Sequence, residues 1–109
     1  MVFIESKAFT RRLQELAADA ADSVLAGIQN ELLENPFRGD VVAGLGGIRK
    51  ARTSNPRRGK GKRGGFRYLY LYIVRKEHIH LLFLLDKNEQ EDLNPPQRAF
   101  LREMAGRIK

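Results

Sequence analysis

The sequence predicts an α+β fold, and three observations carry the prediction. Apolar residues recur at three- and four-residue intervals from Phe9 to Leu32, which is the stripe of a core-facing helix. Two strongly apolar runs rich in aromatic and branched residues, Phe66–Val74 and His78–Leu85, read as strands. Asn94-Pro95-Pro96-Gln97 then opens a last helix.

Taken in order, Val2-Phe3-Ile4 is a short first strand. The helical stripe runs through Phe9, Leu13, Leu16, Ala20, Val24, Ile28 and Leu32. Asp19 or Asp22 is expected to cap a second helix, so the segment is split into a hairpin near Ala18–Asp22. Asn35-Pro36 ends it, because a residue before proline is pushed out of the helical region. Gly44-Leu45-Gly46-Gly47 leads into a strand over Ile48–Thr53. Residues 54–65 hold glycine, proline and basic side chains without apolar anchors and read as a loop. Arg75-Lys76-Glu77 fits a short connection between the two strongest strands. In the last helix Asn94 is the N-cap, Pro95 takes the first helical position and Gln97 bonds back as in a capping box. Phe100, Leu101 and Met104 give this helix its apolar side. The resulting order is strand, two helices, three strands, helix, with no internal repeat.

At 109 residues and 12.4 kDa the chain is expected to form one domain spanning 1–109. Folding at this size buries roughly 60–70% of the unfolded surface, enough for one core. The absence of cysteine excludes disulfides, thiolate catalysis and cysteine-based zinc sites. The apolar runs Leu69–Val74 and Ile79–Leu85 are far too short to span a bilayer, so no membrane partner is expected. No charged-then-apolar leader opens the chain, which makes the cytoplasm the expected compartment.

Net charge is +7, and its distribution says more than its total. The 36 residues between Asp40 and Glu77 hold eleven Lys or Arg and no Asp or Glu. The other 73 carry nine basic and thirteen acidic side chains. A slightly acidic body with a concentrated cationic middle suits a polyanionic partner such as nucleic acid.

Lys50 and Arg52 are two apart on a predicted strand and leave the sheet on one face, with Arg49 on the other. Arg67 starts the next strand, where pairing across the loop brings it beside them. The loop adds Arg57, Arg58, Lys60, Lys62 and Arg63, which together with Arg49 are the candidate RNA-binding cations, and its glycines let backbone N–H groups approach phosphates. Such a patch fits phosphate binding, since arginine offers charge and donors in a planar fork. The bland alternative is a solvated basic loop.

The patch could also catalyse. RNA is cleaved without water or metal when its own 2′-OH attacks the adjacent phosphate. A lysine acting as neutral base at pH 7 needs its pKa lowered by about 3, at a cost of about 4 kcal/mol. Crowding by other cations pushes in that direction. As an ammonium it would instead stabilise the phosphorane.

Other features read mainly as structure. His78 and His80 lack the further ligands that a metal site needs. Tyr68, Tyr70 and Tyr72 alternate on one strand face, where bases could stack on them. Core packing is expected for two of the three, with Tyr70 as the candidate RNA contact. The acidic run Asp86–Asp92 precedes a helix start and favourably meets its positive end. Lys87 at the strand end could join the basic face. Neither a cofactor nor a metal is called for.

The segments Gly46-Gly47-Ile48-Arg49-Lys50-Ala51-Arg52 and Gly59-Lys60-Gly61-Lys62-Arg63-Gly64-Gly65-Phe66-Arg67-Tyr68 carry a resemblance. With Leu84-Leu85-Asp86-Lys87-Asn88-Glu89 and Asp92-Leu93-Asn94, the chain resembles the HigB-like branch of the RelE/ParE toxin superfamily over nearly its whole length. The resemblance implies a small, twisted, mainly antiparallel sheet with an N-terminal helical hairpin and a C-terminal helix. It implies a metal-independent endoribonuclease that enters the ribosomal A site and cuts mRNA, with Lys50, Arg52, Arg67 and Lys87 at catalytic positions. It further implies a cognate antitoxin bearing a helix-turn-helix DNA-binding domain, through which alone operator DNA would be met. Asn88 stands where the RelE type has a catalytic arginine, and the C-terminal catalytic tyrosine has no match. Two other functions compete: a non-catalytic nucleic-acid-binding module, and a ParE-like inhibitor of DNA gyrase.

Overall fold

The computed structural model describes residues 1–56 and 65–109. Strand β1 (Val2–Glu5) is followed by helices α1 (Lys7–Ala17) and α2 (Ala21–Glu34). Strands β2 (Asp40–Val41), β3 (Arg49–Thr53), β4 (Phe66–Ile73) and β5 (His78–Asp86) follow, and α3 (Pro95–Ile108) comes last. The strands form one sheet in the order β1-β5-β4-β3-β2. Among the described residues only the β1–β5 pairing is parallel, and the other three are antiparallel. The predicted α+β class, helical hairpin and closing helix are all present. The two-residue strand β2 is an addition, too short to leave an alternating pattern in the sequence.

Ser6 starts α1. Its hydroxyl oxygen accepts from the Phe9 N–H at 2.9 Å and donates to the Leu82 carbonyl at 2.8 Å, tying the helix end to β5. The helices separate at a single tight turn over Ala18–Ala20, where Ala18 adopts φ 47°. Neither aspartate caps α2: Ala20 holds the N-cap position without a side-chain hydrogen bond, and Asp22 lies in the first turn. There the carboxylate meets the positive end of the helix dipole instead. For α3 the capping box forms in full, with Asn94 Oδ1 accepting from Gln97 N and Gln97 Oε1 accepting from Asn94 N, both at 2.9 Å.

The sheet separates two cores. On one face α1 and α2 bury Phe9, Leu13, Ile28 and Leu32 against Phe66, Tyr68, Tyr70 and Leu81. On the other, Leu101 and Ala105 of α3 pack with Leu45, Ile48, Leu69 and Leu85. Each large side chain taken fully out of water contributes about 1.5–3 kcal/mol. Between Leu69 and Tyr70 the β4–β5 register slips, so that Leu69 faces Phe83 and Tyr70 faces Leu81. This bulge places both Leu82 and Phe83 in the α3 core. Covering both faces leaves open the end of the α3 face where β3 and β4 carry cations, and the site lies there.

Candidate nucleic-acid interface and active site

Register decides the site. Lys50 pairs with Leu69 and Arg52 with Arg67, and paired residues point to the same face. Lys50, Arg52 and Arg67 therefore share the α3 side of the sheet. Ala51 between them turns into the helical-hairpin core at 6% exposure. The three cations line one cleft of about 520 Å³ together with Arg38, Asp40, Glu91 and Asp92. That volume is within the range of small-ligand sites, and its walls are mostly charged.

Arg38 is the cation that sequence reasoning missed. It stands alone after Asn35-Pro36, outside the basic run, and only folding brings it beside Arg52. Its guanidinium donates to the Arg52 carbonyl at 2.7 Å, to the Tyr68 hydroxyl at 2.9 Å and to Glu31 at 3.0 Å. Glu31 in turn accepts from Tyr68 and Thr53, each at 3.0 Å. Burial pushes the Tyr68 hydroxyl far above its ordinary pKa, which keeps it a neutral donor. This network pins the cleft end of β3 to α2.

Asp92, last of the acidic run before α3, also meets Lys50. Its Oδ1 lies 3.5 Å from Lys50 Nζ and accepts the Leu93 N–H at 2.8 Å. The Leu93 N–H, followed by the charges of Lys50 and Arg98, holds this carboxyl below the usual aspartate range.

Other candidates are placed elsewhere. Arg49 leaves the opposite face, as its position on the strand predicts, and does not reach the cleft. It donates to the Gly39 carbonyl at 2.7 Å, and its guanidinium stacks over Phe37. Tyr70 is corrected from an RNA contact to a core residue: it is fully buried in the helical-hairpin core. Its hydroxyl donates to the Pro36 carbonyl at 2.8 Å and accepts the Gly39 N–H at 3.0 Å. Two of the three tyrosines are core as expected, but the partly exposed one is Tyr72, edge-on to Phe37 at 5.2 Å. Lys87 is half-buried after β5 and is not among the described residues that line the cleft. Its backbone N–H meets the Gly65 carbonyl at 3.4 Å. Arg57, Arg58, Lys60, Lys62 and Arg63 lie outside the described residues.

His78 and His80 are half-buried on β5, with ring centroids 6.3 Å apart. Among the described residues no group of three or more metal-ligating side chains comes together. Asp86 is buried and closes the turn after β5 by accepting the Asn88 N–H at 2.9 Å. Among the described residues no helix is long and apolar enough to cross a membrane.

A small two-core α+β domain with a charged cleft at the open end of a five-stranded sheet is the class these features define. No family model matches the sequence. Solved structures share the fold. The M. tuberculosis toxin–antitoxin complex RelBE2 matches with a TM-score of 0.60 at 20% identity, over 78% of this chain and 95% of that one. A mutant of the E. coli toxin RelE in the free state matches at 0.56 and 16% identity, over 83% and 86%. The intact E. coli RelBE toxin–antitoxin complex matches at 0.55 and 16%, over 78% and 94%. The chain has the RelE toxin fold.

Proposed function

We propose that this protein is the toxin of a type II toxin–antitoxin system, acting as a ribosome-dependent mRNA endonuclease in the HigB-like branch of its superfamily. The observation that carries the proposal is the placement of Lys50, Arg52 and Arg67 on one sheet face within one cleft of a RelE-type fold. Three cations gathered on one face suit a phosphodiester whose negative charge grows in the transition state. In this mechanism the mRNA 2′-oxygen attacks the adjacent phosphorus in the ribosomal A site and the 5′-oxygen departs. The products are a 2′,3′-cyclic phosphate and a 5′-hydroxyl, and no metal takes part. Arg52 and Arg67 hold the phosphate, and Lys50 assists the reaction beside them. Arg57, Arg58, Lys60, Lys62, Arg63 and Lys87 supply contacts to mRNA or ribosomal RNA. A cognate antitoxin with a helix-turn-helix domain neutralises the toxin in the cytoplasm and brings the pair to operator DNA.

Mapping mRNA ends after a short induced pulse tests the proposal, with Lys50→Ala as comparison. Translation-dependent cuts with 5′-hydroxyl ends, absent from the variant, are expected. Growth arrest with intact mRNA and inhibited supercoiling would replace the nuclease with a gyrase inhibitor. Intact mRNA with normal growth would leave a binding module.

A further inference from the structure

Cleavage by an internal hydroxyl requires a group to take that hydroxyl's proton. The described cleft offers three carboxylates: Asp40, Glu91 and Asp92. Asp92 is the one whose carboxylate pairs with Lys50, at 3.5 Å.

Its placement is built into the fold. Asp92 Oδ1 accepts the Leu93 N–H at 2.8 Å, and the Asp92 carbonyl accepts from Gln90 Nε2 at 2.7 Å. Gln90 Nε2 also donates to Gln97 Oε1 at 2.8 Å, and Gln97 closes the α3 capping box. Leu93, next in sequence, is buried in the α3 core. A carboxylate so fixed still keeps 68% of its side chain open, whereas Lys50 keeps 29%. An exposed ion pair adds little to stability, so stability does not account for this arrangement.

We infer that Asp92 accepts the proton of the attacking 2′-hydroxyl and that Lys50, its ion-pair partner, donates a proton to the departing 5′-oxygen. The inference rests on the nuclease function proposed above. The 2′ O–H bond breaks, its proton passes to the Asp92 carboxylate, and the 2′-oxygen bonds to phosphorus. The bond from phosphorus to the 5′-oxygen breaks, and the Lys50 ammonium protonates the leaving alkoxide. Proton transfer from the Asp92 carboxylic acid back to the Lys50 amine restores the original pair. No oxidant, metal or added water enters the balance.

The groups around Asp92 are Lys50 and Arg52 on β3, Arg67 on β4, Asp40 on β2 and Arg38 just before it, its neighbour Glu91, and Arg98 on α3. The Leu93 N–H and the neighbouring cations hold the Asp92 carboxyl below the usual aspartate range, so it is already ionised in neutral solution.

Single-turnover cleavage on programmed ribosomes tests the inference with wild type, Asp92→Asn and Asp92→Glu. Asparagine keeps the oxygen that accepts the Leu93 N–H, so the loop is retained. Asp92→Asn is expected to lose on the order of 100-fold in cleavage rate while binding RNA at least as tightly, and Asp92→Glu to recover part of the loss. The wild-type rate is expected to stay level from about pH 6 to about pH 8, as an ionised carboxylate requires. An Asp92→Asn rate within about threefold of wild type overturns the inference. A wild-type rate climbing about tenfold per pH unit also overturns it, because that slope marks a base still protonated at neutral pH. Wild-type protein that leaves mRNA intact overturns the nuclease function itself, a result distinct from cleaving protein indifferent to Asp92.

Discussion

Arg52 and Arg67 stand directly opposite each other across the β3–β4 ladder. Like charges at paired sheet positions repel, and folding gains nothing from the pairing. Two guanidinium groups on one face present forked donors of the kind that phosphate oxygens match, which is the role proposed for them above. The cost is tolerable because Arg52 is exposed and water screens it.

Arg67→Ala therefore separates stability from function. Urea unfolding is expected to show unchanged or increased stability, by up to about 1 kcal/mol, as the cross-strand repulsion disappears. Induced growth arrest is expected to vanish in the same variant. Full toxicity in a folded Arg67→Ala protein would remove this residue from the mechanism.

Salt should act strongly on RNA affinity. If about six phosphates are neutralised, binding falls by about 10³-fold between 50 and 200 mM salt. Arg52→Ala should flatten the log–log slope by about one contact. A slope that stays the same in this variant would place Arg52 outside the phosphate-binding set.

The Tyr68 hydroxyl joins Arg38 to Glu31, so Tyr68→Phe removes a donor and an acceptor while preserving the ring. A loss of about 1–3 kcal/mol in urea unfolding is expected. The Arg38–Glu31 ion pair at 3.0 Å persists without the hydroxyl, which sets the ceiling on the effect. A neutral result would show that water replaces the hydroxyl at no cost.

Gly39 immediately precedes β2, which pairs antiparallel with β3. A Cβ there would sit 2.9 Å from the Lys50 carbonyl oxygen and 3.0 Å from the Tyr70 ring. Backbone cannot yield as a flexible side chain does, so Gly39→Ala should cost about 1–3 kcal/mol and displace β2 from the cleft. Hydrogen exchange at the Val42 and Arg49 amides would reveal that displacement.

His80 sets a pH dependence with a definite sign. Burial, followed by the charges of His78 and Lys76, holds its pKa below the ordinary 6.5. Between the folded and unfolded values the unfolded chain binds more protons, so stability rises with pH through this window. It falls as pH drops below the unfolded value. Urea midpoints measured across the window should slope upward in wild type and flatten in His80→Asn. Equal slopes in both proteins would assign the effect to other groups.

Much of the fold was legible because it rests on local rules. The capping box from Asn94 to Gln97 needs only four consecutive residues, and the α1–α2 stripe needs only helical periodicity. The same-face relation of Lys50 and Arg52 follows from strand alternation alone. Ser6 could also have been found, since a serine three residues before Phe9 is an ordinary N-cap. The two-residue β2 and the register slip at Leu69–Tyr70 left no comparable signal, because each depends on a partner strand. Tyr70 and Tyr72 are equivalent by alternation. What separates them is the Pro36–Gly39 turn, which covers the first and only edges the second.

By itself the sequence determined the element order, the α+β class and a cationic middle suited to a polyanion, because periodicity, capping and charge are written along the chain. The tertiary structure decided which charges meet. It set the register that puts Arg67 directly opposite Arg52 and carried Arg38 in from a solitary position. It also brought Asp92 to Lys50 across 42 positions of sequence. Strand register and helix docking make those choices, and both arise from burying two apolar cores on opposite faces of one sheet.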